Sequence, residues 1–206
     1  ETLSGGWKTK GTWDEWVQSM RLVEEFPYMF IAIYASAAAP LLEVLRIPGF
    51  VLDFSGETSG GKTTALRYAA SVWGRPAESY PTAMYSWDAT KVWIERSILI
   101  SSGEGAATSF SQDAGTRARV LSLKGKPLGD DIVVGSAASE DAQAMLANTY
   151  GHLGRRIVEY LVANQERHGD IRNVFQTARE KYSEIAKSAV ARRHAGHLAA
   201  LEVAAS

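Results

Sequence analysis

Two short apolar runs, separated by helix-forming stretches, predict the strands of a buried sheet. The first, residues 51–54, is followed directly by a glycine-rich turn and a helix-forming run at 64–72. The second, residues 97–102, reads Ser-Ile-Leu-Ile-Ser-Ser and is followed by Gly103. Apolar runs of this length bounded by turn residues are typical of buried strands. Because helices separate the strands, the pattern favours an α/β fold with a parallel sheet.

The N-terminal part has helical periodicity instead. Apolar side chains three and four positions apart predict a helix over residues 13–25, capped by Thr12. Its aromatic stripe is either part of the core or a surface on which bases stack, and the helical period favours the core. An Ala- and Leu-rich stretch at 28–46 predicts further helix, opened by Pro27, in which Pro40 introduces a kink or starts a new helix. The stripe consists of Trp13, Trp16, Met20 and Val23.

The C-terminal part is also predicted to be helical. The patterns indicate helices at 140–150 and 157–165, a short apolar piece at 132–134, and one long helix from 171 to about 203 capped by Asp170. Arginine and lysine side chains lie along the long helix. They form either a solvated face or a surface that binds nucleic acid or a partner. His194 and His197 lie one turn apart with no carboxylate nearby, which predicts surface histidines and no metal site.

Composition narrows the classes of protein. The 206 residues are 46% hydrophobic and 22% charged, and a net charge of −1 predicts no global attraction to nucleic acid. The lack of cysteine excludes disulfides, thiolate zinc sites and cysteine nucleophiles, and it suits a reducing cytoplasm. The most apolar run, residues 30–42, is too short to span a bilayer, and no signal peptide is recognised. We therefore expect a cytoplasmic protein without a membrane partner.

The strongest chemical signal is the turn after the first strand. Residues 56–63 read Gly-Glu-Thr-Ser-Gly-Gly-Lys-Thr and fit G-x-x-x-x-G-K-[ST], the P-loop pattern, between a predicted strand and a predicted helix. Glycines let backbone N–H groups approach an anion, and the helix adds its positive end. The pattern predicts that Lys62 reaches the β- and γ-phosphates of a nucleoside triphosphate and that the Thr63 hydroxyl binds Mg²⁺. The predicted binding residues are Gly56, Glu57, Thr58, Ser59, Gly60, Gly61, Lys62, Thr63 and Thr64.

Polar residues after the second strand are candidates for the same site. Residues at the carboxyl ends of parallel strands face the ligand in nucleotide-binding sheets. If the second strand neighbours the first, Ser101, Ser102 or Glu104 lies near the γ-phosphate or the attacking water. Alternatively, these residues simply form a turn.

Two arginine pairs have open roles. Arg117 and Arg119 follow the loop after the second strand and either contact phosphate or belong to a solvated surface. Arg155 and Arg156 precede a predicted helix, and either face a phosphate at the base of a lid or lie on the surface.

Several stretches together resemble one family, the domain-of-unknown-function family numbered 927. Its members occur in bacterial proteins, prophages and mobile elements, and they look like AAA+ ATPases related to the replicative helicases of mobile elements. The resemblance covers nearly the whole chain. The stretches are residues 39–42, 53–64, 69–76, 87–92, 98–104, 115–121 and 150–156.

The resemblance implies an α/β fold: an AAA+-like P-loop core with a mostly parallel sheet, N-terminal helices and a C-terminal helical lid. We expect an N-terminal helical appendage at 1–48, the core at 49–150 and the lid at 151–206. The cofactors implied are ATP and Mg²⁺. The implied roles are a polar sensor for Ser101 or Ser102, an arginine finger acting on a neighbouring subunit for Arg117 or Arg119, and a second sensor for Arg155 or Arg156. A finger in trans implies a homo-oligomer, a ring such as a hexamer, and the family implies DNA as a partner.

One departure from the family concerns the join between Arg96 and Ser97. The family has a further segment there, a hydrophobic strand ending in acidic residues, the Walker B element that holds Mg²⁺ and orients water. We expect that this segment is omitted from the sequence and not lost from the protein, because a fold that keeps the other motifs needs its central strand. We also expect the natural chain to continue beyond Ser206.

The leading hypothesis is a DNA helicase or translocase driven by ATP hydrolysis. A nucleotide-dependent assembly or binding module without efficient hydrolysis is the alternative, favoured if the acidic strand is truly absent. A P-loop kinase acting on a small molecule is a third possibility, which predicts a monomer.

Overall fold

The three strands within the described part of the chain form one parallel sheet. The computed structural model describes residues 7–76, 97–110 and 113–206. Central strand β1 pairs in parallel with β2 on one side and β3 on the other. The strands are β1 (Phe50–Ser55), β2 (Ile98–Gly103) and β3 (Val120–Lys124). The sequence predicted β1 and β2, whereas β3 was not predicted.

Helices make up most of the remaining described chain. The helices are α1 (Trp13–Arg21), α2 (Pro27–Ala38), α3 (Leu41–Leu45), α4 (Lys62–Ser71), α5 (Ala114–Arg117), α6 (Ile132–Leu146), α7 (Leu153–Ala163), α8 (His168–Ile185) and α9 (Ala189–Ala205), with 3₁₀ turns at Ala107–Phe110 and Gln165–Arg167. No helix in the described ranges is long and apolar enough to cross a membrane.

The N-terminal helices begin as the local sequence predicts. The Thr12 hydroxyl accepts a hydrogen bond from the Glu15 N–H, and the Glu15 carboxylate accepts one from the Thr12 N–H, so α1 starts with a complete capping box. Pro27 occupies the first turn of α2, where its missing N–H costs nothing. The stretch then divides into α2 and α3 at Pro40, and Arg46 ends α3 in the left-handed conformation.

Helices α2, α4 and α9 cover one face of the sheet. Phe50, Leu52 and Phe54 alternate along β1 onto this face and are at most 1% exposed. The ring of Phe54 lies 6.4 Å from that of Tyr28 on α2, and Phe50 stacks on His197 of α9. Buried side chains of α8 and α9 belong to the same apolar cluster as those of α2 and β1. The C-terminal helices thus pack at the amino end of β1, and the domain division at residue 151 stays a prediction.

Helix boundaries in the C-terminal part correct three sequence predictions. The predicted single helix at 171–203 is two helices, because residues 186–188 turn the chain and Ser188 caps α9 by accepting from the Ala191 N–H. Asp170 is not the cap, since α8 already starts at His168. Residues 132–134 are not a separate piece but the first turn of α6, capped by the Asp131 carboxylate.

A short N-terminal segment is tied to the loop before α7. Lys10 and Tyr150 exchange backbone hydrogen bonds of 3.1 and 3.0 Å, and Thr9 donates its hydroxyl to the Gly151 carbonyl. The Gly151 and Gly154 N–H groups in turn donate to the carbonyls of Ser71 and Val72 at the end of α4. Residues 9–10 and the start of α7 therefore assemble at the C-terminal end of α4.

Candidate functional site

The glycine loop, residues 56–61, joins the end of β1 to the start of α4. Gly56 and Gly61 have φ angles of +147° and +84°, and Ser59 is left-handed at +63°. A glycine adopts such angles without the steric cost that a side chain incurs. The sequence pattern therefore corresponds to a tightly bent turn at the carboxyl edge of the sheet.

The turn that follows β3 packs closely behind the glycine loop. A Cβ on Gly61 would lie 2.5 Å from Leu128 Cγ, and one on Gly56 would lie 2.9 Å from the Gly125 carbonyl oxygen. The Leu128 N–H also donates to the Gly60 carbonyl at 3.1 Å. Glycine is required at these two positions because the Leu128 side chain and the Gly125 carbonyl leave no space for a Cβ.

Lys62 folds back over the loop. Its ammonium donates to the carbonyl oxygens of Gly56, at 2.8 Å, and Glu57. Phosphate oxygens are stronger acceptors for an ammonium than carbonyls, since both partners are then charged. The position of the lysine across the mouth of the loop thus suits an anion that replaces these carbonyls.

The first turn of α4 leaves backbone donors for such an anion. Gly61 is the N-cap and has no side-chain oxygen that could accept hydrogen bonds from the N–H groups of the first turn of α4. An uncapped helix start of this kind attracts anions through its N–H groups and its dipole. Thr63 is exposed, so its hydroxyl is accessible, whereas the Thr64 hydroxyl is buried and pairs with Ser139 at 2.7 Å.

The donor set fits a magnesium ion that arrives with phosphate. Among the described residues, no three His, Asp or Glu side chains come together as a metal-binding group. Mg²⁺ keeps several waters and is commonly held through one or two protein oxygens plus substrate phosphates. The Thr63 hydroxyl is the protein oxygen available for this at the start of α4.

Asp53, which sequence reasoning missed, connects the three strands beside the loop. It is 2% exposed, and its carboxylate accepts from the Ser101 and Ser122 hydroxyls, at 2.8 and 2.9 Å, and from the Ala107 N–H at 2.8 Å. Ser101 and Ser122 are its register partners on β2 and β3. The hydroxyl of Ser101, the predicted sensor, thus donates to Asp53, whereas Ser102 and Glu104 are exposed.

Ser55 adds a second buried polar group at the base of the loop. Its side chain is on the same face of β1 as that of Asp53 by strand alternation, and the residue is 2% exposed. The Ser55 hydroxyl has no hydrogen-bond partner among the residues that the structure describes.

Arg117 and Arg119 lie at the opposite edge of the sheet. The Arg119 carbonyl accepts from the Val51 N–H at 2.8 Å, which places both arginines beside the amino end of β1, with exposed side chains. The six residues of β1 separate this edge from the glycine loop, about 20 Å at the usual rise of a strand. The structure does not bring these arginines to the loop of their own chain.

Arg155 and Arg156 are also remote from the loop. They follow Gly154 at the C-terminal end of α4, whose 10 residues span about 15 Å. The Arg156 guanidinium lies 4.2 Å from the centre of the Trp13 ring, and Arg155 pairs with Glu159 at 2.7 Å. Trp13 itself stacks on Trp16, which is 3% exposed and donates its indole N–H to Ser71. The aromatic stripe of α1 thus contributes to the core through Trp16.

The prediction of two surface histidines is wrong for His197. It is 8% exposed and stacks on Phe50 with ring centres 4.3 Å apart. Burial, together with the neighbouring His194, lowers the pKa of His197 to about 4, and burial also lowers the pKa of His194. Helix α9 packs against both α2 and α8, and this packing buries His197. In an alanine-rich helix, periodicity alone did not reveal this.

Comparison with known proteins identifies one family and a similar structure. The family described as "Domain of unknown function (DUF927)" matches residues 1–103, which include β1, the glycine loop, α4 and β2. A solved structure described as "SCCmec type IV Cch - active helicase" superimposes with a TM-score of 0.80 at 18% sequence identity. The match covers 96% of this chain and 46% of that one, so the chain spans less than half of the similar protein. No curated protein matches the chain.

Proposed function

The chain belongs to the DUF927 family, and on that premise we propose that it binds ATP with Mg²⁺ and hydrolyses it as an AAA+-like motor domain. The work coupled to hydrolysis is DNA unwinding or translocation in a mobile element. The likeness to a structure described as an active helicase supports this choice of work. The observation that carries the proposal is the glycine loop with Lys62 across its mouth, in front of an uncapped helix.

Lys62 and the start of α4 divide the binding of the phosphates. Lys62 exchanges its two carbonyl partners for phosphate oxygens and neutralises their charge. The N–H groups of the first turn of α4 donate to the same phosphates, and the Thr63 hydroxyl holds the metal. When bound, ATP would supply the β–γ bond that breaks, and Mg²⁺ would neutralise the charge that develops.

An arginine from a second copy completes the site in this proposal. Arg117 and Arg119 are exposed at the edge of the sheet opposite the glycine loop. From there they act on a loop only if that loop belongs to a neighbouring chain, which makes the working form a homo-oligomer. A cation placed at developing phosphate charge acts through electrostatic stabilisation.

The test is ATP turnover with and without single-stranded DNA. Wild-type protein is expected to hydrolyse ATP faster with DNA, whereas Lys62→Ala loses turnover in both conditions. Lys181→Ala is the matched control, because that lysine is exposed and pairs with Glu202 in the C-terminal helices. Equal, DNA-independent rates in wild type and Lys62→Ala would refute the proposal.

A binding module without efficient hydrolysis is the second candidate. Within the described ranges, β1, β2 and β3 end in Ser55, Gly103 and Lys124, so no described strand ends in a carboxylate that could support the metal. The family carries that acidic strand at the join between Arg96 and Ser97. Ser97 is described by the structure, whereas Arg96 lies outside the described ranges. ATP binding that depends on Lys62 and drives assembly, with no turnover in wild type, would favour this candidate.

A further inference from the structure

A cleft opens beside the glycine loop at the carboxyl ends of β1 and β3. It has a volume of about 490 Å³, within the range of small-molecule sites. Residues from the glycine loop, from α2 and from the turn after β3 line it. They include Tyr28, Gly56, Glu57, Lys124, Lys126 and Asp130.

Tyr28 forms an aromatic wall of this cleft that is held in place. Its hydroxyl donates to the Lys124 carbonyl at 3.3 Å, and its ring lies against that of Phe54. A Cβ on Gly125 would lie 3.3 Å from the ring, so the backbone after β3 passes close to it. Contacts to β1, to β3 and to the backbone after β3 thus orient the ring before any ligand arrives.

The rim of the cleft carries hydrogen-bonding groups of both charges. Lys126 lies 3.8 Å from a Glu57 carboxylate oxygen and 3.6 Å from one of Asp130. The side chains of Glu57 and Asp130 are 84% and 97% exposed, so each carboxylate has free acceptor positions. Carboxylates placed in this way can accept hydrogen bonds from the hydroxyls of a sugar.

The cleft and the glycine loop share Gly56 and Glu57. A ligand whose phosphates lie on the loop therefore extends into the cleft without leaving the protein surface. On the other side of β1 the Gly56 N–H donates to the Gly103 carbonyl at 3.2 Å, which brings the end of β2 against the loop. The cleft that the structure describes therefore lies on the side of the glycine loop that faces β3.

We propose that this cleft binds the nucleoside of the triphosphate, with the base against the Tyr28 ring and the ribose hydroxyls toward Glu57 and Asp130. The inference rests on the proposed function, because it assumes that the phosphates occupy the glycine loop. In this proposal Tyr28, which lies on α2 and outside the P-loop motif, makes the protein bind a nucleotide more tightly than inorganic polyphosphate.

The test compares ATP with inorganic tripolyphosphate, both with Mg²⁺, by calorimetric titration. Tyr28→Leu keeps apolar bulk against Phe54 and removes the aromatic face, so it is expected to weaken ATP binding about tenfold and to leave tripolyphosphate binding unchanged. Tyr28→Phe keeps the ring and is expected to bind ATP like wild type. Tyr34→Leu, on the same helix, is the matched control and is expected to change neither affinity.

The outcomes separate the nucleoside site from the phosphate site. If Tyr28→Leu weakens the binding of both ATP and tripolyphosphate, or of neither, the proposed nucleoside site is wrong. The proposed phosphate site on the glycine loop is unaffected by that result. Lys62→Ala is expected to weaken both ligands, which locates the phosphates on the loop. Failure of ATP and tripolyphosphate to bind wild-type protein would refute the proposed function itself. Melting curves of each variant establish that the compared proteins are folded.

Discussion

Gly61 is one of the residues at which backbone conformation and close packing together exclude a side chain. Its φ angle of +84° is unfavourable for other residues, and Leu128 occupies the position of a Cβ. Gly196, in α9, differs on both counts. It has no atom within 4 Å of an added Cβ, and it lies inside a regular helix.

We predict that Gly61→Ala lowers the free energy of unfolding by about 2–4 kcal/mol, from backbone strain and overpacking. Gly196→Ala is expected to raise it by up to about 1 kcal/mol, since alanine favours a helix interior. Urea unfolding measures both changes. Similar effects of the two substitutions would contradict the packing described at Gly61.

Asp53 is a buried carboxylate whose acceptor positions are filled by three donors from different segments. Two of these donors are hydroxyls that can rotate to new partners. The third, the Ala107 N–H, has a fixed direction. Removing the acceptor therefore leaves at least one partly buried backbone donor without a partner.

We predict that Asp53→Ala lowers the free energy of unfolding by about 3 kcal/mol and Asp53→Asn by about 1 kcal/mol, because the amide still offers one acceptor oxygen. Asp130→Ala is the control, with an expected change within about 0.5 kcal/mol, since its exposed ion pair with Lys126 contributes little. Chemical denaturation gives all three values. A loss as large in Asp130→Ala as in Asp53→Ala would be incompatible with the buried network.

At the scale of elements, α7 is attached to α1 and to the end of α4. The guanidinium of Arg156 lies over Trp13, while the adjacent Arg155 pairs only with Glu159 on its own helix among the contacts described. The two arginines thus have different structural environments, although the family resemblance implies a sensor role for either one. Substituting each in turn tests whether either senses a nucleotide.

We predict that Arg156→Ala lowers the free energy of unfolding by about 0.5–1 kcal/mol through loss of the cation–π contact. Arg155→Ala is expected to cause no measurable loss, because a solvated ion pair within one helix contributes little. Neither substitution is expected to alter ATP affinity. A selective loss of ATP binding in Arg156→Ala would instead support the sensor role that the family resemblance implies.

The elements that the sequence predicted are those with local causes. The capping box at Thr12, the proline at the start of α2 and the glycines after β1 act within a few residues, and all three are visible in the sequence. Strand β3 was missed because it is short, with three half-buried residues among its five, and forms by pairing with β1, some 70 positions away. The break between α8 and α9 was missed because it contains neither glycine nor proline.

The candidate site divides in the same way. The motif locates Lys62 and Thr63, and the resemblance adds Ser101, yet neither indicates that Asp53 holds Ser101 or that Tyr28 stands beside the loop. Those relations depend on the order of the strands and on where α2 packs. They are properties of tertiary structure and have no local signature.

At the scale of the whole molecule, α9 joins the C-terminal helices to the amino end of the sheet through His197 and Phe50. The ordinary pKa of histidine, 6.5, applies to the unfolded chain, whereas the folded pKa is about 4. Between these values the unfolded chain binds more protons than the folded one. The stability that the neutral ring contributes is therefore present above about pH 6.5 and is lost as the pH falls toward 4.

We predict that the free energy of unfolding falls by about 2 kcal/mol between about pH 7.5 and about pH 5 on account of His197. His197→Asn is expected to flatten this dependence while lowering stability at neutral pH. Gly196→Ala, which changes the same helix without altering a titratable side chain, is expected to keep the wild-type dependence. Identical pH profiles for wild type and His197→Asn would show that another group is responsible.

The backbone pairing of Lys10 with Tyr150 has a practical consequence for how the protein is attached in an assay. It holds the N-terminal segment at the end of α4 opposite the glycine loop, about 15 Å away along the helix. A thiol introduced by Lys8→Cys, next to this pairing, thus lies at a distance from the loop and the neighbouring cleft. Immobilisation through that thiol is expected to keep both accessible to solutes in a surface-based binding measurement.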